Sequence, residues 1–456
     1  MAWRRWAATL TAGRALAAAA CAALGAHGSP AAAQDSQYWT AQYGPVAELL
    51  GGVVVGSTRD LSATFYNPGA LALAQDPSLL ASVQSFEATW LSASAEGSSK
   101  GLSSSNVRPS PSLFAFALPR SWTGSHTIAI SSLTRTDFDL RVDDWQVASQ
   151  GGAESLFDQS LNENWFGISW AHKVGQDGGL GLTTYGVYRG QRTRREISGQ
   201  AALSPTSGGT ALLVEDFDYA NYRLLWKAGF SRQLAHWDLG ISVTTPSVQV
   251  FGSGTASYTR SAVGADLGGG PVVSVSVQHQ EDLASRFDSP LSIALGGAYR
   301  RGQNQFHATV EWFDSVDPFD VLDPSGLTSD PAAEGLVKRL NQEAKSVVNF
   351  GLGFQRRVST RFSYYAAFTT DFTFADKDDS AANSLSTWDI YHVTAGTSLV
   401  VGSAKLTMGG AYSFGGDDRQ IATLSVPPTE LPVLTQTAFD VRYSRVRLLV
   451  GFDFGR

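Results

Sequence analysis

The sequence predicts an all-β protein, a 14-stranded antiparallel transmembrane β-barrel whose lumen is plugged by an N-terminal hatch. Three observations lead to this prediction: a secretory leader, long segments in which apolar and polar residues alternate, and connections that alternate between short and long. The composition agrees, since 46 residues are glycine, 16% are charged and the mean hydropathy is −0.08. After the leader, no apolar run approaches the roughly 20 residues that a transmembrane helix needs.

The first segment, residues 1–33, has the pattern of a cleaved signal peptide. Its charged part contains three arginines and no acidic residue: Arg4, Arg5 and Arg14. An alanine-rich apolar run covers residues 15–24, and three alanines at 31–33 precede the expected cleavage site. The run is too short to span a bilayer as a helix. We therefore expect export of the chain to a bacterial outer membrane.

The mature chain is expected to be acidic and free of cysteine. Without residues 1–33, 31 lysines and arginines face 41 aspartates and glutamates, which argues against nucleic acid as a partner. Cys21, the one cysteine, lies within the leader, so we expect neither a disulfide nor a cysteine-based metal site. A secreted chain without disulfides and without apolar helices points to a large β architecture.

Alternation with a period of two is clearest near the end of the chain, where apolar side chains occupy every second position of residues 445–454. Similar stretches occur at 222–230, 291–300, 306–312, 348–354, 362–374 and 406–414. Many predicted strands are far longer than the about 5–6 residues common in soluble proteins. Tryptophans near their ends are typical of the interfacial girdles of membrane barrels: Trp90, Trp165, Trp226, Trp237, Trp312 and Trp388.

The strand number follows from the connections. Six short ones are predicted at 119–124, 174–179, 234–237, 300–305, 357–361 and 401–405. Seven long ones are predicted at 97–109, 141–159, 197–215, 259–288, 317–344, 375–386 and 416–437. Together they join 14 strands, with both chain ends on the short-turn side. Residues 272–280 also alternate, and we interpret them as the outer extension of the strand at 289–300, with Pro290 marking a kink.

The segment before the first convincing strand, residues 34–77, does not alternate. It is too apolar for a disordered tail and too short for a domain of its own. A barrel of this width otherwise encloses a water channel, so burial of the segment in the lumen solves both problems. The predicted organisation is therefore a signal peptide at 1–33, a hatch at 34–77 and a barrel at 78–456.

The run from Asp60 to Pro68, with the sequence Asp-Leu-Ser-Ala-Thr-Phe-Tyr-Asn-Pro, resembles the hatch motif of the FadL family. These proteins are outer-membrane transporters of long-chain fatty acids and aromatic hydrocarbons. The resemblance implies a 14-stranded barrel plugged by an N-terminal hatch and passive uptake of hydrophobic small molecules. A thinner similarity covers residues 240–246 and 289–299. The family usually has Asn-Pro-Ala where this chain has Asn67-Pro68-Gly69.

This resemblance also implies roles for the residues of the motif. Four are assigned to anchoring or gating of the hatch: Asp60, Asn67, Pro68 and Gly69. Phe65 and Tyr66 are expected to pack on lumen side chains or on the ligand.

A basic run at 189–195 stands where the fifth strand should emerge outward. Its members Arg189 and Arg192 are candidate contacts for a substrate carboxylate or for lipopolysaccharide phosphates. A solvated strand end is the alternative interpretation.

No catalytic motif is present: the sequence lacks a nucleophile elbow, a phosphate-binding loop and a zinc-protease motif. The histidines after the leader are far apart in the sequence. We therefore predict no enzymatic activity, no cofactor and no metal.

The expected partners are a hydrophobic small-molecule ligand, lipopolysaccharide and outer-membrane lipid, and the barrel-assembly machinery during biogenesis. No nucleic acid is expected, and the predicted state is a monomer. Two alternative functions remain open: a structural or adhesive barrel with a closed lumen, and a porin for polar solutes.

Overall fold

The computed structural model describes residues 36–74, 77–95, 101–148, 151–204, 207–264, 272–324, 340–375, 388–425 and 433–455. The predicted signal peptide, residues 1–33, lies outside these ranges. Among the described residues, no helix is both long enough and apolar enough to cross a membrane.

Strands dominate the described chain, and the helices are short. In chain order the strands are β1 Pro77–Ala95, β2 Gly101–Ala117, β3 His126–Ala148, β4 Gly151–Val174, β5 Gly178–Ser204, β6 Ser207–Gln233, β7 Trp237–Thr244, β8 Val248–Gly264, β9 Val272–Ala284, β10 Ser292–Arg301, β11 Asn304–Phe313, β12 Val316–Leu322, β13 Leu340–Ala344, β14 Val347–Arg357, β15 Phe362–Asp371, β16 Ile390–Val401, β17 Ala404–Ser425 and β18 Val433–Gly455. The described helices are Pro45–Leu49, Ala63–Tyr66, Arg120–Thr123 and the 3-10 helix Pro68–Leu73.

The strands close into an antiparallel ring. First and last strands pair, β1 with β18, and β5 pairs with β6 to complete the circle. Two strands of the ring are each broken into two halves. β7 and β8 are the halves of one, and both pair with β6. β10 and β9 are the halves of the other, and they pair with β7 and β8 respectively. Counting each broken strand once gives 14 strands, which confirms the predicted barrel. Around the ring of β1–β7, β10, β11 and β14–β18, closure leaves no open sheet edge, as lipid requires.

Prolines lie at both breaks. Pro246 separates β7 from β8, and Pro290 lies in the stretch 285–291 that separates β9 from β10. Residues 272–284 thus extend the strand at 292–301 outward. This outcome agrees with the prediction made from their alternation and from the even number of strands. The break at Pro246 was not predicted, although proline there removes a backbone donor from the ladder.

The predicted long loops at 97–109, 141–159, 197–215 and 416–437 were wrong, because most of their described residues are paired in strands. Strand pairing continues to Ala148 in β3 and resumes at Gly151 in β4, and β5 and β6 run to residues 204 and 207. The physical reason is that these hairpins extend far beyond the length that spans a bilayer, about 9–11 residues per strand. Outside lipid both faces can be polar, so the hydrophobic alternation fades although the backbone pairing persists.

Outward side chains are mainly apolar, whereas many inward ones are small or polar. On β4, Phe166 and Ile168 are 58% and 63% exposed, whereas the next residue, the inward Ser169, is fully buried. This face suits lipid. The interfacial interpretation was wrong for Trp165 and Trp388, which are buried inside the ring, because the inward face is also lined with aromatic side chains.

Two equally exposed apolar positions test where lipid contacts the barrel. Leu352 on β14 and Val275 on β9 are each exposed by about 60%, but β9 lies beyond the break in its strand. Leu352→Arg should destabilise folding into lipid vesicles by about 2–4 kcal/mol, as for arginine at a bilayer midplane, and Val275→Arg by less than about 1 kcal/mol. Denaturant titrations of vesicle-folded protein measure both. Equal losses would contradict this placement of the bilayer.

Candidate ligand-binding site

Residues 36–74, here called the N-terminal segment, contact opposite arcs of the ring. The helix Pro45–Leu49 packs against β16, β17 and β18, whereas the 3-10 helix Pro68–Leu73 packs against β4, β5 and β6. A segment that contacts opposite arcs of a closed ring lies within it. Most of its residues are buried, and none is exposed.

Inward-facing glycines allow the segment to approach the wall. A Cβ added to Gly69 would lie 2.6 Å from the carbonyl oxygens of both Gly179 and Gly229. A Cβ on Gly56 would lie 2.6 Å from the carbonyl oxygen of Gly296. Backbone therefore meets backbone without intervening side chains. The departure from Asn-Pro-Ala has a physical reason at this site, since alanine at position 69 has no room.

Asn67 joins the segment to the wall. Its side chain is fully buried, and Nδ2 donates to the carbonyl oxygens of Val55 at 2.8 Å and Phe230 at 3.0 Å. Its Oδ1 accepts from the Gly69 amide at 3.1 Å and so caps the 3-10 helix, whose first residue is Pro68. Proline has no amide hydrogen to leave unsatisfied there.

Asp60 organises the segment internally. Its Oδ1 accepts from the Ser62 amide at 2.9 Å and from the Ser62 hydroxyl at 2.5 Å. The neighbouring Arg59 is the residue that reaches the wall, with Nη2 3.0 Å from Asp238 Oδ1 on β7. Sequence reasoning missed Arg59, although only three charged residues occur in 36–74: Glu48, Arg59 and Asp60.

Glu48 is a buried carboxyl at the contact between the segment and β1 and β2. Its Oε1 accepts from the hydroxyls of Ser82, at 3.0 Å, and Ser112. Burial raises the pKa of Glu48 from 4.5 to about 7, even though both hydroxyls and the nearby Arg447 favour the carboxylate.

A cavity with about 1160 Å³ of empty space, part of it open to solvent, lies between the N-terminal segment and the wall. Most of its lining is apolar and rich in aromatic rings: Trp39, Phe65, Tyr66, Trp165, Phe287 and Phe313. Seven charged side chains also line it: Arg135, Glu163, Arg189, Lys227, Asp288, Glu311 and Glu343. A concave site that combines apolar surface with polar groups is typical of small-molecule sites.

Phe65 and Tyr66 both line this cavity, but they differ in their contacts. Tyr66 is tied into the segment, since its hydroxyl donates to Gln42 Oε1 at 2.8 Å and accepts from the Tyr43 amide at 2.9 Å. Phe65 instead packs edge-on against the ring of Tyr43, at 4.4 Å between centroids, and is only half-buried. Phe65 therefore has the more available ring.

Two cations flank Phe65. Lys227 Nζ lies 4.5 Å and Arg135 Cζ 5.6 Å from its ring centroid, and both residues line the cavity. Lys227 is 5% exposed. Among the described residues neither cation has a carboxylate within ion-pair distance, although Arg135 donates to the Tyr38 carbonyl oxygen at 2.5 Å. A lysine in the apolar stretch 222–230 was the sequence signal that could have identified Lys227.

Arg189 and Arg192 lie on opposite faces of β5. Arg189 lines the cavity, with Nη1 2.9 Å from Glu163 Oε2 and the guanidinium 4.0 Å from the Phe287 ring centroid. Arg223 shares the same carboxylate oxygen at 2.8 Å. Arg192 is exposed outside the ring, 3.5 Å from Asp216, and does not line the cavity.

The cavity also borders the broken strands. Pro290 and Ser289 line it from one break and Thr245 from the other. The Ser289 amide donates to Ser247 Oγ at 3.0 Å, which links the two breaks across the gap in the ladder.

Strand pairing brings two histidines together that are distant in the sequence. His126 and His172 pair directly, with ring centroids 4.8 Å apart. Within the described ranges, no three histidine, cysteine, aspartate or glutamate side chains are grouped so that they could hold a metal ion.

Solved structures share this architecture. A Pseudomonas aeruginosa FadL homologue superposes with a TM-score of 0.58 at 12% identity, covering 92% of this chain and 100% of that one. This chain has the FadL-type fold. The Pseudomonas putida toluene transporter TodX has a TM-score of 0.58 at 11% identity, covering 93% and 100%. For the Ralstonia pickettii toluene transporter TbuX, with the same FadL-type fold, the values are 0.55, 14%, 91% and 98%. No family model and no curated protein matches the sequence.

Gly69→Ala tests the close approach of the segment. The added methyl group has no space between two carbonyl oxygens, so we expect a loss of about 1–3 kcal/mol and faster proteolysis of residues 36–74. Gly186→Ala is the matched control, because a Cβ there meets nothing within 4 Å. Limited proteolysis and thermal unfolding measure both variants, and equal behaviour would contradict the tight fit.

Glu48→Gln tests the buried carboxyl. Because the pKa of Glu48 is raised to about 7, the seated segment is most stable below about pH 4.5 and loses stability as the pH rises through 7. The glutamine variant lacks this loss, so its advantage over the native chain should grow to about 3 kcal/mol between pH 5 and pH 9. Thermal unfolding of both proteins across this range provides the test. Parallel curves would show that Glu48 does not titrate in this way.

Proposed function

We propose that this protein mediates passive uptake of hydrophobic small molecules across a bacterial outer membrane. The observation that carries the proposal is an aromatic cavity enclosed between the wall of a lipid-facing barrel and a segment within its lumen. The FadL-type fold supports it, because structures of that fold include channels whose names state that they transport toluene. The signal peptide at 1–33 accords with the location and stays a prediction.

In this proposal the N-terminal segment is the hatch. Asn67 and Pro68 act as its rigid turn, Gly69 as its closest contact with the wall, and Asp60 keeps the preceding turn in shape. Arg59 adds an ion pair to Asp238 at the same end of the barrel. Transport requires these contacts to open or the segment to shift, since the carbonyl contacts around Gly69 leave no space for a ligand.

We further propose that the cavity takes an amphipathic acid, such as a long-chain fatty acid. Arg189 and Arg223 share the carboxylate of Glu163, whereas Lys227 and Arg135 have no carboxylate within ion-pair distance among the described residues. A buried ammonium in an apolar site gains most from a charged acceptor. The acid group would therefore lie beside Phe65, with its chain along the aromatic lining.

A neutral aromatic hydrocarbon is the second candidate. The aromatic rings of the lining favour it, and the toluene transporters with the same fold support it. A polar-solute porin is disfavoured because the N-terminal segment occupies the lumen. A closed structural barrel is disfavoured because it has no need of an apolar cavity. The two leading candidate ligands, an amphipathic acid and a neutral aromatic hydrocarbon, differ in whether the ligand carries an acid group.

Lys227→Met provides the decisive measurement. Oleate binding to the purified protein should weaken about tenfold or more, since a charge-assisted hydrogen bond is lost. Binding of oleate methyl ester should stay within about twofold of the native value, because no charge is involved. Fluorescence titration in detergent measures both ligands.

Lys345→Met is the matched control, because Lys345 is exposed and does not line the cavity. Equal loss in both variants would contradict the role of Lys227. Equal affinity of the native protein for oleate and its ester would favour a neutral substrate. If the native protein bound neither oleate, its ester nor toluene, the uptake proposal itself would fail.

Lipopolysaccharide and the barrel-assembly machinery stay predicted partners, and the monomeric state also stays a prediction. We also propose that the protein is not an enzyme, in keeping with neighbours that are named as a channel and as a transporter.

A further inference from the structure

Two neighbouring short turns carry a patch of exposed arginines: Arg301, Arg356, Arg357 and Arg361. The turns join β10 to β11 and β14 to β15, and β11 pairs with β14, so they are adjacent on the rim. None of the four forms an ion pair within the described part of the chain. Residues 299–307 and 353–365 contain no aspartate or glutamate, although acidic residues outnumber basic ones by 41 to 34 overall. The patch is therefore a local excess of positive charge.

The strand register sets the spacing of the arginines. Arg301 on β10 pairs with Asn304 on β11, and Asn304 pairs with Arg356 on β14. The two arginines therefore lie on either side of Asn304, in one row that crosses three strands. With about 4.8 Å between strands, their Cα atoms are about 10 Å apart. Two long guanidinium side chains at this distance can converge on one phosphate group or on two adjacent ones.

The arginines continue columns of lipid-facing side chains. Arg356 follows Phe354 and Leu352 on the outward face of β14, and Leu352 is 60% exposed. Phe354 contacts Phe306 on β11, with ring centroids 5.3 Å apart. Residues two apart on one face are separated by about 6.7 Å. A charged group bound by the arginines thus lies next to an aromatic surface that faces acyl chains.

We propose that this basic patch binds the phosphodiester head group of an anionic phospholipid in the inner leaflet, with the acyl chains lying along Phe354 and Phe306. The proposal rests on the outer-membrane location proposed above, with the short turns in the periplasm. A soluble anion would use only the arginines and leave the aromatic columns without a role. A zwitterionic lipid carries its own cation beside the phosphate, so it gains less from four unpaired arginines.

Native mass spectrometry of the intact mature protein in neutral detergent tests the site. Cardiolipin, phosphatidylglycerol and phosphatidylethanolamine are titrated separately, and retained lipid is counted. We expect both anionic lipids to bind at least about tenfold more tightly than phosphatidylethanolamine, because each surface arginine contributes about fivefold. The variant with all four arginines changed to glutamine should lose this preference, and raising the salt concentration should weaken it.

The matched control removes the same charge elsewhere: Arg141→Gln, Arg194→Gln, Arg286→Gln and Arg442→Gln, all of which form ion pairs. Its lipid preference should equal that of the native protein, and heat-modifiable migration in gels verifies that both variants are folded. Equal retention of all three lipids, equal loss in the two variants, or displacement by inorganic phosphate at the lipid concentration would each overturn the proposal. Oleate binding is measured separately. A failure of the lipid-binding proposal therefore leaves the uptake proposal unaffected, and a failure of the uptake proposal leaves the lipid measurement unaffected.

Discussion

The structure depends above all on backbone-to-backbone contact between the N-terminal segment and the barrel wall. Glycines on both sides make this contact possible, as at Gly69 against Gly179 and Gly229. Because glycine has no side chain, the two backbones approach closely enough to exclude water. Their buried carbonyl and amide groups therefore need hydrogen-bond partners within the protein. Asn67 supplies two of them. The position of the aromatic cavity follows, because the cavity is the space that this tightly seated segment leaves free.

Charge within the lumen is distributed unevenly, and this unevenness gives the cavity its chemistry. Glu163 is shared by Arg189 and Arg223, and Asp238 is held by Arg59. These pairs satisfy each other and fix elements in place. Lys227 and Arg135 differ, because no carboxylate lies within ion-pair distance of either among the described residues, and Glu311 acts on both only from farther away. An apolar surround makes such cations selective for a ligand that brings its own negative charge.

The barrel can be predicted from the sequence because lipid imposes a strict rule on each strand. The outward face must be apolar, and the chain must return through alternating turns, so both period and parity can be counted. The same reasoning failed for the outer hairpins, where residues 141–159 lie in water and lose the alternation. It also missed the break at Pro246 and the inward position of Trp165, since neither lipid nor parity constrains those details.

The sequence by itself determined the closed 14-stranded ring, because the ring follows from local pattern and from the cost of unpaired backbone in lipid. Only the tertiary structure decided which charges meet. Arg189 and Arg192 are three residues apart, yet one is paired inside the ring and the other is exposed outside it. Strand register brings Lys227 to Phe65 from 162 positions away, a distance over which no local pattern carries information.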